Sequence, residues 1–264
     1  MRQVQRTRHD PLAALVDLPG VAAAMESARE AIDALLWDRR VRAAAVDVVR
    51  RSVELGASAS AALEGADLSV VEESPMGRTL LAAQAVTEQA QRESRTWERA
   101  PLQVLATLHA VVVRALGAQS HPGMPRAPRD VAEAGVDPLR IGGLPPAEAV
   151  AARLQELARV LAMPTQAPGL VVAAVVHGEL MAVRPFAVGS GLVARAAVRC
   201  VLATRGVDPS NFGIPEEGML ALGRPTYVRA IQDFATGTPD RMAQALVAFA
   251  GACEGGALAA RAAP

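Results

Sequence analysis

The segment GLVVAAVVHGELMAV, residues 169–183, is apolar over almost its whole length. A helix that is hydrophobic on all sides has to be buried, so we expect other helices to enclose this one. Aromatic residues make up only 3% of the chain, so the core around it must consist mainly of Ala, Val and Leu. Side chains of that size favour close packing between helices over a large aromatic-lined cavity.

The other periodic segments also repeat with the helical period, and the alternation typical of strands is scarce. We therefore predict an all-α fold with an N-terminal helical extension (1–56), a helical core (57–254) and a disordered tail (255–264). The Pro- and Gly-rich region 117–146 predicts a loop or a short hairpin, and region 56–75 a second break. The predicted helices are 21–38, 39–55, 75–94, 101–116, 146–163, 169–183, 190–204, 225–234 and 239–253.

Charge and composition narrow the classes of function. The 27 basic residues balance 27 acidic ones, which argues against a nucleic-acid or membrane-surface partner. All the basic residues are arginine, so a Walker-type phosphate lysine and a Schiff-base lysine are excluded. Cys200 and Cys253 fit neither a disulfide framework nor a metal-ligand spacing. We read no membrane-spanning run and no secretory signal, and expect a soluble, cytoplasmic protein.

The stretch AVRPFAVGSGLVAR, residues 182–195, predicts a loop between two helices. Proline opposes helix continuation, and Gly189 and Gly191 permit positive φ or close backbone approach. Backbone N–H groups at Gly189, Ser190 and Gly191, with Arg195 one turn into the next helix, predict an anion or nucleotide site. The alternative is a glycine turn that only joins two packed helices. A dinucleotide-binding fingerprint is disfavoured, because a helical stretch and not a strand precedes GSGLVA.

The same stretch resembles a degenerate Fic motif, H-P-F-x-[D/E]-G-N-G-R-x-x-R, of the Fic (Fido) family. Five positions match without gaps, namely Pro185, Phe186, Gly189, Gly191 and Arg195. Upstream, SAALEG at residues 60–65 resembles the [S/T]-x-x-x-E-[G/N] inhibitory motif that many members carry, and region 117–146 lies where the family has its target-docking flap. The resemblance implies a Fic-like helical core and a regulatory latch formed by Ser60, Glu64, Gly65 and Arg195.

Four positions depart from the motif, and the departures affect the family's chemistry. Active members transfer AMP from ATP, with a histidine as general base and an acidic residue that holds magnesium. Here Arg184 replaces the histidine, Val188 the acidic residue, Ser190 the asparagine and Leu192 the first arginine. A guanidinium keeps its proton at physiological pH and valine offers no metal ligand. We therefore expect no catalytic residues, no metal site and no Mg²⁺, and we predict a pseudoenzyme.

The resemblance leaves three functions open. The first is a regulatory or interaction module with an unidentified protein partner. A homodimer is also possible, with residues 12–16 or the hairpin around Trp37 as its interface. The second is a sensor that binds ATP or another phosphate ligand without transfer, using Arg184 and Arg195. The third is an enzyme, such as a residual nucleotidyltransferase, with a non-standard site at His177, His109 or a residue of region 117–146. Both histidines lie in apolar helices that favour a packed role.

Overall fold

The computed structural model describes residues 10–66, 75–132 and 135–262, and it confirms the all-α fold, with no strand in those ranges. The N-terminal residues 1–9 of the predicted extension, part of the predicted break and the last two residues lie outside these ranges. The elements are a 3-10 helix Ala13–Asp17, α1 Val21–Leu36, α2 Arg39–Ala43, α3 Ala45–Leu63, α4 Pro75–Trp97, α5 Pro101–Leu116, a 3-10 helix Pro128–Ala132, α6 Ala147–Leu161, α7 Gly169–Val183, α8 Ser190–Thr204, α9 Pro215–Ala221, α10 Arg224–Thr236 and α11 Pro239–Ala262.

Helices α7 and α8 form the centre of the fold. The side chains of α7 are buried on nearly every face, as its apolar sequence predicts, and α8 is buried continuously from Ser190 to Leu202. Helices α4, α5, α10 and α11 pack around this pair. Small residues allow the close approach, since a Cβ at Gly178 would collide with the ring of Phe234. Both cysteines are free and buried.

Helix α3 runs without interruption from Ala45 to Leu63, so the predicted helix end at 55 and the predicted break from 56 were wrong. The predicted domain boundary at 56/57 falls inside this helix. Gly56 lies inside the helix and against Arg199 and Glu216, where a Cβ would collide with both side chains. This glycine therefore serves close packing rather than a helix end. The α3 helix therefore connects the N-terminal helices to the core without a break.

Helix α11 extends through residues 255–262, which we had expected to be disordered. Gly256, Ala257 and Ala260 are buried, and Gly256 packs directly on the backbone of Ile214 at the start of α9. Small residues at helical spacing thus hold this segment on the fold. By length and composition α11 could cross a membrane, contrary to our reading of the sequence, but half of its apolar window is buried inside the protein, as in a core helix.

The described part of region 117–146 is a loop with the 3-10 helix Pro128–Ala132 and no hairpin. It crosses the C-terminal end of α7, to which Arg126 fastens it. Helix α9 was missed by the sequence analysis because it is only seven residues long, although Pro215 stands at its start. At the N-terminus Leu12 is buried, whereas Trp37 at the end of α1 is 71% exposed.

Candidate functional site

The loop between α7 and α8 is held between two left-handed residues. Arg184 ends α7 with a φ of 44°, and Gly189 precedes α8 with a φ of 69°. A side chain at Gly189 would collide with Val112, so glycine is required there for both space and conformation. Phe186 anchors the middle of the loop by stacking on His109, with ring centroids 3.9 Å apart and an angle of 13°.

Ser190 braces this loop from within. Its hydroxyl accepts a hydrogen bond from the backbone N–H of Phe186 at 3.0 Å and donates one to the carbonyl of Phe186 at 3.1 Å. The side chain is buried, and its hydrogen-bonding capacity is used by the loop itself. Ser190 therefore fixes the shape of the loop.

Arg195 and Glu64 form a buried ion pair, as the two motifs predicted. Arg195 Nη2 lies 2.6 Å from Glu64 Oε1, and the two side chains are 1% and 7% exposed. Arg195 Nε also donates to the hydroxyl of Ser60 at 2.7 Å, and Nη2 to the Ser60 carbonyl at 3.1 Å. Gly65, with a φ of 88°, turns the chain directly after Glu64. The four predicted latch residues are thus together in space.

The Glu64 carboxylate lies against the first turn of α8. A Cβ at Gly191 would collide with Glu64 Oε1, so the carboxylate occupies the space beside this backbone. The N-terminal end of a helix attracts anions through its free N–H groups and its dipole. An internal carboxylate therefore lies beside Gly191, one of the three residues from which we predicted an anion site, Gly189, Ser190 and Gly191.

Tyr227 of α10 extends the ion pair into the core. Its hydroxyl accepts a hydrogen bond from Arg195 Nη1 at 3.4 Å and lies 2.8 Å from His177 Nε2. Burial, and then the charge of Arg195, lower the pKa of His177 to about 3, so this imidazole is neutral at neutral pH. Burial acts to lower the pKa of Arg195 too, but interactions with Tyr227 and Glu64 outweigh it and the pKa is raised.

A second buried ion pair lies one helical turn further along α8. Arg199 binds both oxygens of Glu216 at 2.7 Å, and it donates to the hydroxyl of Ser52 at 2.9 Å and to its carbonyl at 3.0 Å. Ser52 and Ser60 are two turns apart on α3, and each binds an α8 arginine through its hydroxyl and carbonyl. Helix α3 is therefore fixed to α8 at two places.

A solved structure shares this architecture. The chain is similar to a Fic family protein from Desulfovibrio desulfuricans G20, with a TM-score of 0.66 and 17% sequence identity over 92% of this chain and 74% of that one. This chain has a Fic-like fold. No family model matches the sequence. A search of curated proteins finds no match either. At this identity the likeness concerns the fold, and the roles of the motif positions rest on their own geometry.

The positions that depart from the Fic motif offer no replacement chemistry. Leu192 is a core residue, 2% exposed, and cannot grip a phosphate. Val188 is half-buried beside Gly135 and has no oxygen for a metal. Among the residues that the structure describes, no three His, Cys, Asp or Glu side chains are grouped to hold a metal ion. The residues of this loop therefore do not fit the magnesium ion that the family resemblance implies.

Arg184, at the position of the family's histidine, is buried and points toward the loop 117–146. Its Nη2 donates to the carbonyl of Gly142 at 2.7 Å, and its Nη1 lies 3.8 Å from Asp137 Oδ1. Burial lowers its pKa, the charge of Asp137 opposes this, and Arg126 adds to it. A guanidinium nevertheless stays protonated at neutral pH and cannot accept a proton.

Three residues of the site carried no local signal in the sequence. Tyr227 and Glu216 reach α8 from distant parts of the chain, and Arg126 reaches the loop from region 117–146. The other candidate base, His109, accepts a hydrogen bond from the N–H of Gly123 at 3.0 Å. Burial lowers its pKa to about 4. Both candidate histidines are thus buried among core groups.

Proposed function

We propose that this Fic-like protein has no AMP-transferase activity and acts as a regulatory or protein-binding module. The observation that carries this proposal is the buried guanidinium of Arg184 at the position of the family's general base. Loss of a general base typically lowers a rate by about 10²–10⁴-fold. The lost base, the absent metal ligand at Val188 and the missing cation at Leu192 affect one catalytic unit, so their effects overlap rather than multiply.

The second support is the closed state of the loop. Glu64 fills the space at the start of α8, and Arg195 neutralises it. In the family such a glutamate is an inhibitor that has to withdraw. Here the Arg199–Glu216 pair and Ser52 hold the same helix two turns further back, and all three side chains are almost fully buried. We infer that the closure is a permanent part of the fold and not a switch.

A binding function needs a surface, and the corner between α1 and α2 supplies one. Trp37 is 71% exposed with the guanidinium of Arg42 5.4 Å from its ring, and Val46, in the first turn of α3, is 84% exposed. Exposed aromatic and arginine side chains are the residue types that dominate protein interfaces. We propose that an unidentified cytoplasmic protein, or a second copy of this chain, binds there.

A transfer assay tests the proposal. Purified protein is incubated with ATP labelled at the α-phosphate and with Mg²⁺, and label on the protein and on an added lysate is measured. We expect none with the natural chain. A repaired chain carrying Arg184→His, Val188→Asp, Ser190→Asn and Leu192→Arg, together with Glu64→Ala, is expected to label itself.

The matched control carries the same changes but keeps Arg184. It isolates the general base, and we expect it to stay at least about 10²-fold below the fully repaired chain. Transfer by the natural chain at a rate near that of the repaired one contradicts the proposal.

A further inference from the structure

Buried N–H groups without a hydrogen-bond partner gather around Arg184. Across residues 10–66, 75–132 and 135–262, five buried side-chain nitrogen atoms have no partner, and four of them surround this loop. These are Nη1 of Arg126, Nε and Nη1 of Arg184, and Nε2 of His109. Buried polar groups are normally satisfied, and an unpaired charged group costs more than a neutral one. Such a cluster marks a place where an acceptor is missing.

The two guanidinium groups reach the same stretch of backbone. Arg126 donates through Nε to the carbonyl of Arg184 at 2.8 Å and through Nη2 to the carbonyl of Pro145 at 2.6 Å. Arg184 donates to the carbonyl of Gly142, three residues before Pro145. Both arginines therefore lie under the segment 142–145, with their remaining N–H groups unused.

Carboxylates lie near these arginines, but few of them make direct contacts with the guanidinium groups. In the described part of the chain Arg184 has one salt bridge, to Asp137 at 3.8 Å, and that carboxylate already accepts hydrogen bonds from the N–H groups of Ile141 and Gly142. Arg126 has no salt bridge among the described residues, and its polar contacts are backbone carbonyls. Glu148 and Asp130 act on Arg126 only through their charge, so its buried guanidinium has no direct carboxylate partner among the described residues.

A groove of about 410 Å³ adjoins Arg126 and gives access from solvent. Its lining is rich in hydrogen-bonding groups, from Gln119, Ser120, His121, Arg126, Arg129 and Asp130. The acidic member, Asp130, lies 3.8 Å from Arg129 and accepts a hydrogen bond from the backbone N–H of Ala127. A groove of this size takes a small molecule, in the range typical of ligand sites.

Two glycines in the segment over the arginines have open space around them. Gly142 and Gly143 are exposed, have φ values of 76° and 56°, and have open space where a side chain would stand. An outward shift of these two residues would uncover the Arg184 guanidinium, which donates to the carbonyl of Gly142. Glycines at positive φ tolerate such a backbone change more readily than other residues.

We propose that Arg126 and Arg184 form a binding site for the phosphate group of a small molecule, with the rest of that molecule in the adjoining groove. A phosphate offers several acceptor oxygens to the unpaired N–H groups, and arginine pairs with phosphate through strong charge-assisted bonds. This Arg126–Arg184 site differs from the start of α8, which Glu64 fills. It does not depend on the proposed loss of AMP transfer.

Titration with inorganic phosphate tests the site. Calorimetry and thermal melting are run on the full chain in chloride buffers of equal ionic strength. We expect a dissociation constant on the order of 1 mM and a rise in melting temperature with phosphate. Arg184→Met is expected to raise the dissociation constant at least 10-fold and to abolish the rise.

Controls make each outcome decisive. Arg184→Met removes one hydrogen bond, the 3.8 Å ion pair with Asp137 and a buried guanidinium with two unpaired nitrogen atoms. Because the lost contacts and the lost burial cost offset each other, we expect it to fold and to melt no lower than the natural chain without phosphate. Arg50→Met changes an exposed arginine on α3 and is expected to leave phosphate binding unchanged. Glu64→Ala is expected to bind phosphate as the natural chain does.

Three results would overturn the proposal. The first is no binding up to 10 mM phosphate (about ten times the expected constant). The second is phosphate binding that Arg184→Met does not weaken, which would place the anion elsewhere. The third is acetate binding as strong as phosphate binding, which would show a general carboxylate site. The transfer assay with ATP reads none of these quantities, so the two proposals can fail separately.

Discussion

Removal of the Glu64 carboxylate is the perturbation whose cost the structure defines best. In Glu64→Ala the guanidinium of Arg195 keeps three neutral acceptors, from Ser60 and Tyr227, but loses its only counter-charge among the described residues. Breaking a buried pair by removing one partner typically costs about 3–5 kcal/mol. Because the remaining acceptors still bind the guanidinium, the cost should lie at the lower end of this range, and we expect the free energy of unfolding to fall by about 3 kcal/mol.

Urea denaturation, followed by the helical circular dichroism signal at about 222 nm, measures this change in unfolding free energy. Glu54→Ala on the same helix is the matched control, because Glu54 pairs with Arg50 at 3.1 Å while both side chains are more than half exposed. An exposed pair of this kind is worth about 0.5 kcal/mol or less. Equal unfolding midpoints for the two variants would refute the described ion pair and its burial.

Three further changes probe the same loop. Gly191→Ala is expected to destabilise the natural chain but to cost less in a Glu64→Ala background, because the new Cβ would collide with the carboxylate; a double-mutant cycle measures this coupling. Ser190→Ala leaves the N–H of Phe186 without its acceptor and should cost about 1–2 kcal/mol in urea unfolding. The pKa of His109 is about 4 in the folded protein against an ordinary 6.5, so the unfolded chain binds more protons and stability falls as pH drops from 6.5 to 4. His177, with a pKa of about 3, lowers stability over the same pH range, so urea unfolding at several pH values has to compare the natural chain with His109→Gln. The difference between them, due to His109, should reach up to about 3 kcal/mol.

The helices were predictable where glycine and proline mark their ends. Pro101–Leu116, Gly169–Val183 and Ser190–Thr204 have the predicted bounds, because proline or glycine stands at or beside their ends. At two other glycines the predicted helix ends were wrong. Gly56 and Gly256 lie within helices because neighbouring groups come too close for a side chain, and that contact is not visible in the local sequence.

The site was predictable only where a motif linked distant residues. Glu64 and Arg195 are 131 residues apart, and the resemblance of two short motifs was the signal that joined them. No such pattern linked Arg199 to Glu216, or Arg126 to the end of α7. Their positions follow from how the helices pack, which single-sequence periodicity does not determine.

The central claim is that the loop residues, and not only the ion pair with Glu64, prevent AMP transfer. The most direct test is the labelled-ATP assay on Glu64→Ala with Mg²⁺, because this change frees the start of α8 and leaves Arg184, Val188 and Leu192 in place. Our account predicts no label on the protein or on lysate proteins above the level of the natural chain. Transfer by Glu64→Ala at the rate of the repaired chain would contradict it, and would show that Glu64 inhibits an otherwise active enzyme.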